Sequence, residues 1–417
     1  MKIRRDQYLR QLIDAQQNGL IKIVTGIRRC GKSYLLFTLF HEYLNNQGID
    51  DSHIIELSLD DNDNRALREP DAILKYIKEK IIDNALYYII LDEVQMINDF
   101  TGVLNSLLHV KNADVYVTGS NSHFLSSDVV TEFRGRGDEI QLYPLSFAEF
   151  CQAYNGDVEE AWEEYYTYGG LPHIADLKTD KKKEDYLTHL YESVYLVDVL
   201  ERHKIKNRAE FDELIRIIAS SIGAPVNPTK LSNTFKSVKN VRIHHKTIAK
   251  YLSYLQDAFL VEKAMRYDIK GKKYINTLSK YYFSDIGLRN ALLDFRQQEE
   301  NHIMENIIYN ELKIRGFRVD VGMVEKREKN SENEFIRKQL EVDFVVNQGS
   351  RRYYIQSAYN MAGDEKRQQE TASLTKIGDS FRKIIVVRNK IKPKRDENGI
   401  LTIGIIDFLL NPHSLDL

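Results

Sequence analysis

The stretch IKIVTGIRRCGKSYLLFTLFHEYL, residues 21–44, admits few folds. Ile21, Ile23 and Val24 predict a short buried strand. Leu35, Leu36, Leu39, Phe40 and Tyr43 then recur at helical spacing. Between them Gly26 opens the pattern G-x-x-x-x-G-K-S, closed by Gly31, Lys32 and Ser33. Glycines at those places let backbone N–H groups curl around phosphate oxygens, and the helix N-terminus adds a favourable dipole. The expected phosphate cradle comprises Gly26, Arg29, Cys30, Gly31, Lys32, Ser33 and Tyr34. Lys32 is expected to reach the β- and γ-phosphates and Ser33 to offer its hydroxyl to Mg²⁺. Cys30 reads either as a small residue that fits the loop or as a redox-sensitive thiol at a helix N-terminus.

Sixty residues after Lys32, the run LYYIILDEVQMI places Asp92 and Glu93 at the carboxyl end of an apolar strand. Open α/β sheets bind their ligands at that end. Asp92 is expected to hold Mg²⁺, directly or through water, and Glu93 to orient and polarise an attacking water. A third strand, within ADVYVTGSNS, ends in Thr118, Gly119, Ser120 and Asn121. A polar residue at that tip can touch the γ-phosphate, with Asn121 the first choice and Ser120 the second. In EFRGRGDEIQLY an exposed arginine could neutralise transition-state charge in its own chain or a neighbour's, Arg136 before Arg134. The alternative is a solvated arginine or a structural ion pair.

The chain has 417 residues, room for roughly two to four domains of about 100–200 residues. A formal net charge of −2 excludes a uniformly basic coat, so any nucleic-acid surface must be local. Two cysteines imply no disulfide framework and fit a reducing cytoplasm. No apolar run approaches the ~18 residues that span a bilayer, so no membrane association is expected.

GIRRCGKS, LDEVQ, TGSNS, GRGDEIQLYPLSFAEF and YYTYGGLPHIA together resemble a family of bacterial and archaeal AAA-type ATPases. In that family an N-terminal ATPase precedes a C-terminal domain of unknown function with a nuclease-like fold. The resemblance spans essentially the whole chain and implies ATP as the nucleotide. It also implies a helical lid around YTYGGLP, where Gly169, Gly170 and Pro172 read as a helix end and hinge. His173 there reads as structural.

From 208 to 292 the pattern is three helices and two strands, a winged helix-turn-helix. Residues 228–280 carry twelve Lys or Arg against three Asp or Glu. Lys246 and Lys250 share one helix face, and with Arg242, Lys272 and Lys273 they could follow a DNA backbone. Packing against the ATPase or a partner protein is the alternative.

The last segment holds LEVDFVVNQGSRRYYIQSAYN, residues 340–360. Many metal-dependent nucleases place an Asp on one strand and acid-x-Lys on the next. Here Asp343 is present, but the acid is Gln356 and the lysine place is Ala358. The order of elements suits a restriction-endonuclease-like α/β fold. By likeness Glu305, Asp343 and Gln356 occupy its acidic positions. Without the lysine and one charge, metal binding and catalysis should be weak, with Lys366 the one obvious substitute.

The expected architecture is therefore α/β in four parts: a P-loop AAA-type ATPase over 1–155, a helical lid over 156–207, a winged helix over 208–292 and an inactive nuclease-like domain over 293–417. The expected function is an ATP- and Mg²⁺-dependent switch or remodeller on or near nucleic acid. An ATP-dependent nuclease and a scaffold ATPase with a protein-binding C-terminal domain are the alternatives. An Arg136 that served a neighbour's nucleotide would require a homo-oligomer.

Overall fold

The computed structural model describes residues 2–119, 135–238, 241–296, 299–329, 335–361 and 363–417. The chain divides into two units, Met1–Pro144 with Asp257–Phe259, and Leu145–Gln256 with Leu260–Leu417. Among the described residues no helix is long and apolar enough to cross a membrane.

The first unit is built on strands β1 (Ile21–Thr25), β2 (Ile54–Ser58), β3 (Tyr87–Asp92), β4 (Ala113–Thr118) and β5 (Gly137–Gln141). They pair in the order β2-β3-β4-β1-β5, all parallel. Apolar residues on both faces force such a sheet to be covered twice. On one face Ile23, Ile89, Leu91 and Val117 pack in one core with Ile73, Ile77, Val103 and Leu104 of the helices Pro70–Lys80 and Phe100–Leu107. On the other, the rings of Tyr88 and Tyr116 meet Phe40. Phe40 belongs to helix α1, residues 32–46, which carries a wide π turn at Leu35–Phe40.

The second unit begins eleven residues earlier than the sequence suggests. Beyond Pro144, Leu145 N–H donates to Gly170 O at 2.7 Å and Tyr165 Oη donates to Leu145 O at 2.8 Å. Phe147 and Phe150 of helix α2 (Phe147–Ala153) stack edge-on against Tyr165 of α3 (Val158–Tyr168), both at 5.4 Å. Helix α3 ends where expected, at Tyr168, but the glycines after it form a fixed joint rather than a free hinge. Asp285 caps helix α4 (Ile286–Leu292) and also accepts Gly170 N–H at 2.8 Å. A Cβ on Gly169 would stand 2.5 Å from Asp285 Oδ1, in a backbone already at φ +77°.

Helices Arg208–Ser220, Pro228–Val238 and α5 (His245–Asp257) lead into the hairpin β6 (Val261–Asp268) and β7 (Lys273–Phe283). The sequence reading ends a domain after this hairpin. Instead Arg266–Asp268 of β6 pair in parallel with β8 (Arg318–Lys329), so the hairpin is the edge of an eight-stranded sheet. Its composition explains this: Tyr282 and Phe283 are fully buried. Asn306 of helix α6 (Glu300–Ile314) serves Phe283 as a strand neighbour would. Its Oδ1 accepts Phe283 N–H at 2.8 Å and its Nδ2 donates to Phe283 O at 2.7 Å. The sheet continues through β9 (Phe335–Gln348), β10 (Arg351–Ala358) and β11 (Arg382–Val387) to the short β13 (Leu401–Gly404) and β12 (Lys394–Arg395).

Candidate functional site

At the carboxyl ends of β1, β3 and β4 the expected nucleotide residues converge. Gly26 leaves β1 at φ +140°, and a Cβ there would fall 2.1 Å from Leu142 O. Only glycine can occupy that position. Gly31, at φ 101°, starts α1. Lys32 is buried, its Nζ donating to Gly26 O at 3.1 Å and Ile27 O at 3.3 Å. These are weak-acceptor partners for a full charge, which a phosphate would outcompete.

Ser33 Oγ donates to Asp92 Oδ2 at 2.7 Å, and Thr118 Oγ1 donates to Asp92 Oδ1. Burial holds the Asp92 carboxyl above its ordinary pKa, against those two hydrogen bonds. A buried carboxylate beside a hydroxyl is the oxygen donor set that Mg²⁺ takes alongside phosphate and water, so Mg²⁺ fits here. Glu93 N–H donates to Thr118 Oγ1 at 2.9 Å, and Gln95 Nε2 donates to Glu93 Oε2. Glu93 itself sits at φ 52°, a left-handed backbone that costs a non-glycine residue about 1–3 kcal/mol. Strain of this kind persists where the surroundings fix a side chain in place.

Sequence reasoning missed three supports. Thr118 was named only as a strand end, yet it ties Asp92 to the Glu93 backbone. Gln95 holds the Glu93 carboxylate. Arg5, buried, reaches Tyr143 O at 2.6 Å and Cys30 O at 3.3 Å, fastening the loop from behind. An arginine before an amphipathic helix gave no signal for that role.

Two open readings narrow. Cys30 is fully buried, its Sγ 3.5 Å from Leu142 O, and burial raises its thiol pKa, so it fills the loop rather than senses oxidants. Arg136 precedes β5, whose first residue pairs with Ile21, and Arg136 O accepts Ile21 N–H at 2.9 Å. It thus stands at the amino end of β1 and bonds Asn105 at 2.9 Å. The P-loop leaves the other end, about 13 Å away at roughly 3.3 Å per residue. Arg136 cannot serve its own chain's nucleotide. Ser120, Asn121 and Arg134 lie outside the described residues.

A model described as an AAA domain matches residues 18–151. An uncharacterised protein of Haemophilus influenzae is 33% identical over 414 residues, covering 98% of either chain. The chain belongs to that protein's family, a family of AAA-type P-loop ATPases. An uncharacterised protein of Methanocaldococcus jannaschii is 27% identical over 375 residues, 86% of this ATPase and 79% of the relative. A Walker-type ATPase of Pyrococcus abyssi superposes with a TM-score of 0.49 at 15% identity, over 70% of this chain and 96% of that one. A domain of unknown function (DUF8612) matches residues 159–299 of the ATPase.

In the second unit of this ATPase, the residues expected to mark a degenerate nuclease centre meet an unexpected neighbour. Lys280, from β7, is buried at 2% exposure. Its Nζ lies 2.9 Å from Glu305, 2.7 Å from Glu341 and 3.8 Å from Asp343. Burial alone would lower the Lys280 pKa, but the three carboxylates carry it above the ordinary value. Burial and the neighbouring Glu305 also raise the Asp343 pKa, well above that of a normal carboxyl. Tyr282 Oη donates to Glu305 at 2.7 Å and Ser357 N–H to Asp343 at 2.8 Å.

Glu305 and Asp343 are therefore brought together, while Gln356 touches only the Asp343 N–H, at 3.4 Å. Ala358 packs in a core with Leu374, Ile377 and Ile385, leaving no room for a lysine. Lys366, the expected substitute, spends its charge on Glu370 at 3.1 Å. A divalent metal does not fit this cluster. The Lys280 ammonium already pairs with its carboxylates, and among the described residues no three His, Cys, Asp or Glu side chains are placed to hold an ion.

Of the basic residues expected to face DNA, Arg242, Lys246, Lys250, Lys272 and Lys273 are all exposed. Ile248, Tyr251, Leu252 and Leu255 bury the opposite face of α5.

Proposed function

We propose that the protein hydrolyses ATP and couples the cycle to a conformational change on or near DNA. The observation that carries this reading is the relay from Ser33 through Asp92 and Thr118 to the strained Glu93. The phosphates would lie at the start of α1 on the backbone of Gly26, Arg29, Cys30, Gly31 and Tyr34. Lys32 would exchange its loop carbonyls for the β- and γ-phosphates. Mg²⁺, between Ser33 and Asp92, would supply the positive charge that offsets the phosphate oxygens. Glu93 would orient a water and take up its proton as the water oxygen bonds to the γ-phosphorus and ADP leaves. Asn121, three residues beyond β4, is assigned to the γ-phosphate or the water. Arg136 remains only for a neighbouring copy, in a homo-oligomer.

The three helices and the β6–β7 hairpin form a winged helix in this reading, with α5 as the DNA-facing helix. Exposed Arg242, Lys246 and Lys250, backed by a buried apolar face, support it. No nuclease step is proposed, because Lys280 pairs with the Glu305 and Asp343 carboxylates that such a step would need. The test is ATP turnover with and without duplex DNA. DNA should raise turnover, added salt should suppress the rise, and Lys246→Ala with Lys250→Ala should remove it. Unchanged stimulation in the double variant would sink the DNA reading.

A further inference from the structure

A second feature of the eight-stranded sheet carries chemistry that neither the ATPase site nor the helix α5 uses. The β6–β7 turn, the β9–β10 turn and the residues leading into β11 border a half-open cavity of about 350 Å³. That is within the range of small-ligand pockets, about 300–1,000 Å³. Its lining includes Tyr267, Lys272, Arg351, Arg352, Asp379 and Phe381. Arg352 is the centre. Its guanidinium carbon lies 5.5 Å from the ring centroids of both Tyr267 and Phe381. Its Nε is fixed by Asn347 Oδ1 at 2.7 Å. Asp379 accepts Tyr354 Oη at 2.6 Å and Phe381 N–H at 3.2 Å, so the one acid is engaged in holding the Phe381 backbone. Three cations thus line the pocket beside one satisfied carboxylate, while Asp320, just outside, accepts Tyr274 Oη at 3.2 Å.

The aromatic rings are left in the open. Among the described residues three aromatic residues are exposed, and two of them flank this pocket: Phe381 at 40% and Tyr274 at 57%. Tyr274 stands edge-on to Tyr267 at 5.4 Å, outside the cavity, and Lys273 beside it is exposed. Flat rings and a planar guanidinium offer stacking faces, and lysine and arginine beside them offer phosphate contacts.

We propose that this pocket binds single-stranded nucleic acid, with a base stacked against Phe381 and Arg352 and phosphates on Lys272 and Arg351. The shared chemistry is that of a nucleotide. Tyr274 and Lys273 repeat it outside the cavity, a continuation that a polymer uses and a free nucleotide does not. The proposal rests on the reading that this ATPase meets nucleic acid, but it assigns the single strand to a surface separate from α5.

The test is fluorescence anisotropy of a labelled twenty-nucleotide oligo-dT and of a labelled duplex against the full chain. It compares wild type, Phe381→Ala, Phe381→Trp, Tyr274→Ala and the Lys246→Ala/Lys250→Ala pair, with a thermal melt to confirm folding. Phe381→Ala should weaken oligo-dT binding about ten-fold, the worth of one stacked base, and Phe381→Trp should retain it. Tyr274→Ala should weaken it less. ATP turnover without nucleic acid should not move. If folded Phe381→Ala and Tyr274→Ala bind oligo-dT as wild type does, the pocket assignment falls, whatever the α5 pair does to the duplex. If the α5 pair leaves duplex binding intact while Phe381→Ala loses oligo-dT, the helix reading falls and the pocket stands. Displacement of oligo-dT by AMP at equal nucleotide concentration would overturn the polymer in favour of a free nucleotide.

Discussion

Among the buried lysines of this ATPase, Lys32 in the first unit and Lys280 in the second are used differently. Lys32 touches only two backbone carbonyls of its own loop. Its neighbour Asp92 is held by hydroxyls, not by the ammonium. Lys280 is surrounded by three carboxylates, and the whole cluster is knitted to a tyrosine and a backbone N–H. An ammonium whose partners are replaceable can receive a phosphate. One that is fully paired can only hold the fold together, because any ligand would have to displace an ion pair in a low-dielectric interior.

The comparison can be broken most directly at Lys280. Lys280→Met leaves the Glu305, Glu341 and Asp343 carboxylates without their cation, and should cost about 3–5 kcal/mol of stability in a denaturant melt. Adding Glu305→Gln and Glu341→Gln should recover part of it. A Lys280→Met protein as stable as wild type would show that the cluster is not structural.

A second buried carboxylate sharpens the contrast. Asp285 accepts backbone N–H groups from Leu288 and Gly170 without a cation, and burial, only partly offset by those bonds, pushes its pKa up to about 6. Its folded pKa exceeds the unfolded value, so the ionised form costs stability above pH 6 and protonation returns it as pH falls toward 4. Wild type should therefore gain on Asp285→Asn by about 3 kcal/mol between pH 7 and pH 4, at 1.36 kcal/mol per pKa unit. Parallel stability curves for the two proteins would contradict the buried, ionisable Asp285.

Lys32→Ala should do the opposite of Lys280→Met. Nucleotide affinity should fall about 100-fold, the worth of a charge-assisted hydrogen bond of nearly 3 kcal/mol. Stability without nucleotide should barely change, and calorimetric titration with a thermal melt reads both. A large loss of stability would make Lys32 a structural lysine like Lys280. The smallest effect belongs to Arg136→Ala, which at protein concentrations too dilute for association should alter turnover less than about two-fold, since salt-bridge-free surface positions are usually near neutral. A large loss there would overturn the placement at the far end of β1.

Local pattern carried much of the first unit. The phosphate loop, Asp92 and Glu93 lie within contiguous strand-turn-helix segments, where spacing alone dictates which groups share a sheet edge. What escaped was set by pairing between distant segments. Thr118 matters because β4 lies between β1 and β3, and Arg136 fails because β5 pairs with β1 in parallel. Lys280 falls in the basic run 228–280, and none of its partners lies near it in the chain. Its partners arrive from a helix and a strand 25 to 63 residues later. The one local clue was a single lysine against the buried run Tyr281–Phe283. Likewise, the hairpin read as a free wing until its edge paired with β8.

The central claim is that the first unit is a working ATPase in which Glu93 acts on water and not on the nucleotide. Single-turnover hydrolysis of ATP by Glu93→Gln, measured beside its equilibrium affinity for ATP, tests it most directly. The account predicts a rate at least about 100-fold below wild type, the range of a lost general base, with ATP affinity unchanged. Hydrolysis at the wild-type rate, or loss of ATP binding in step with loss of turnover, would contradict it.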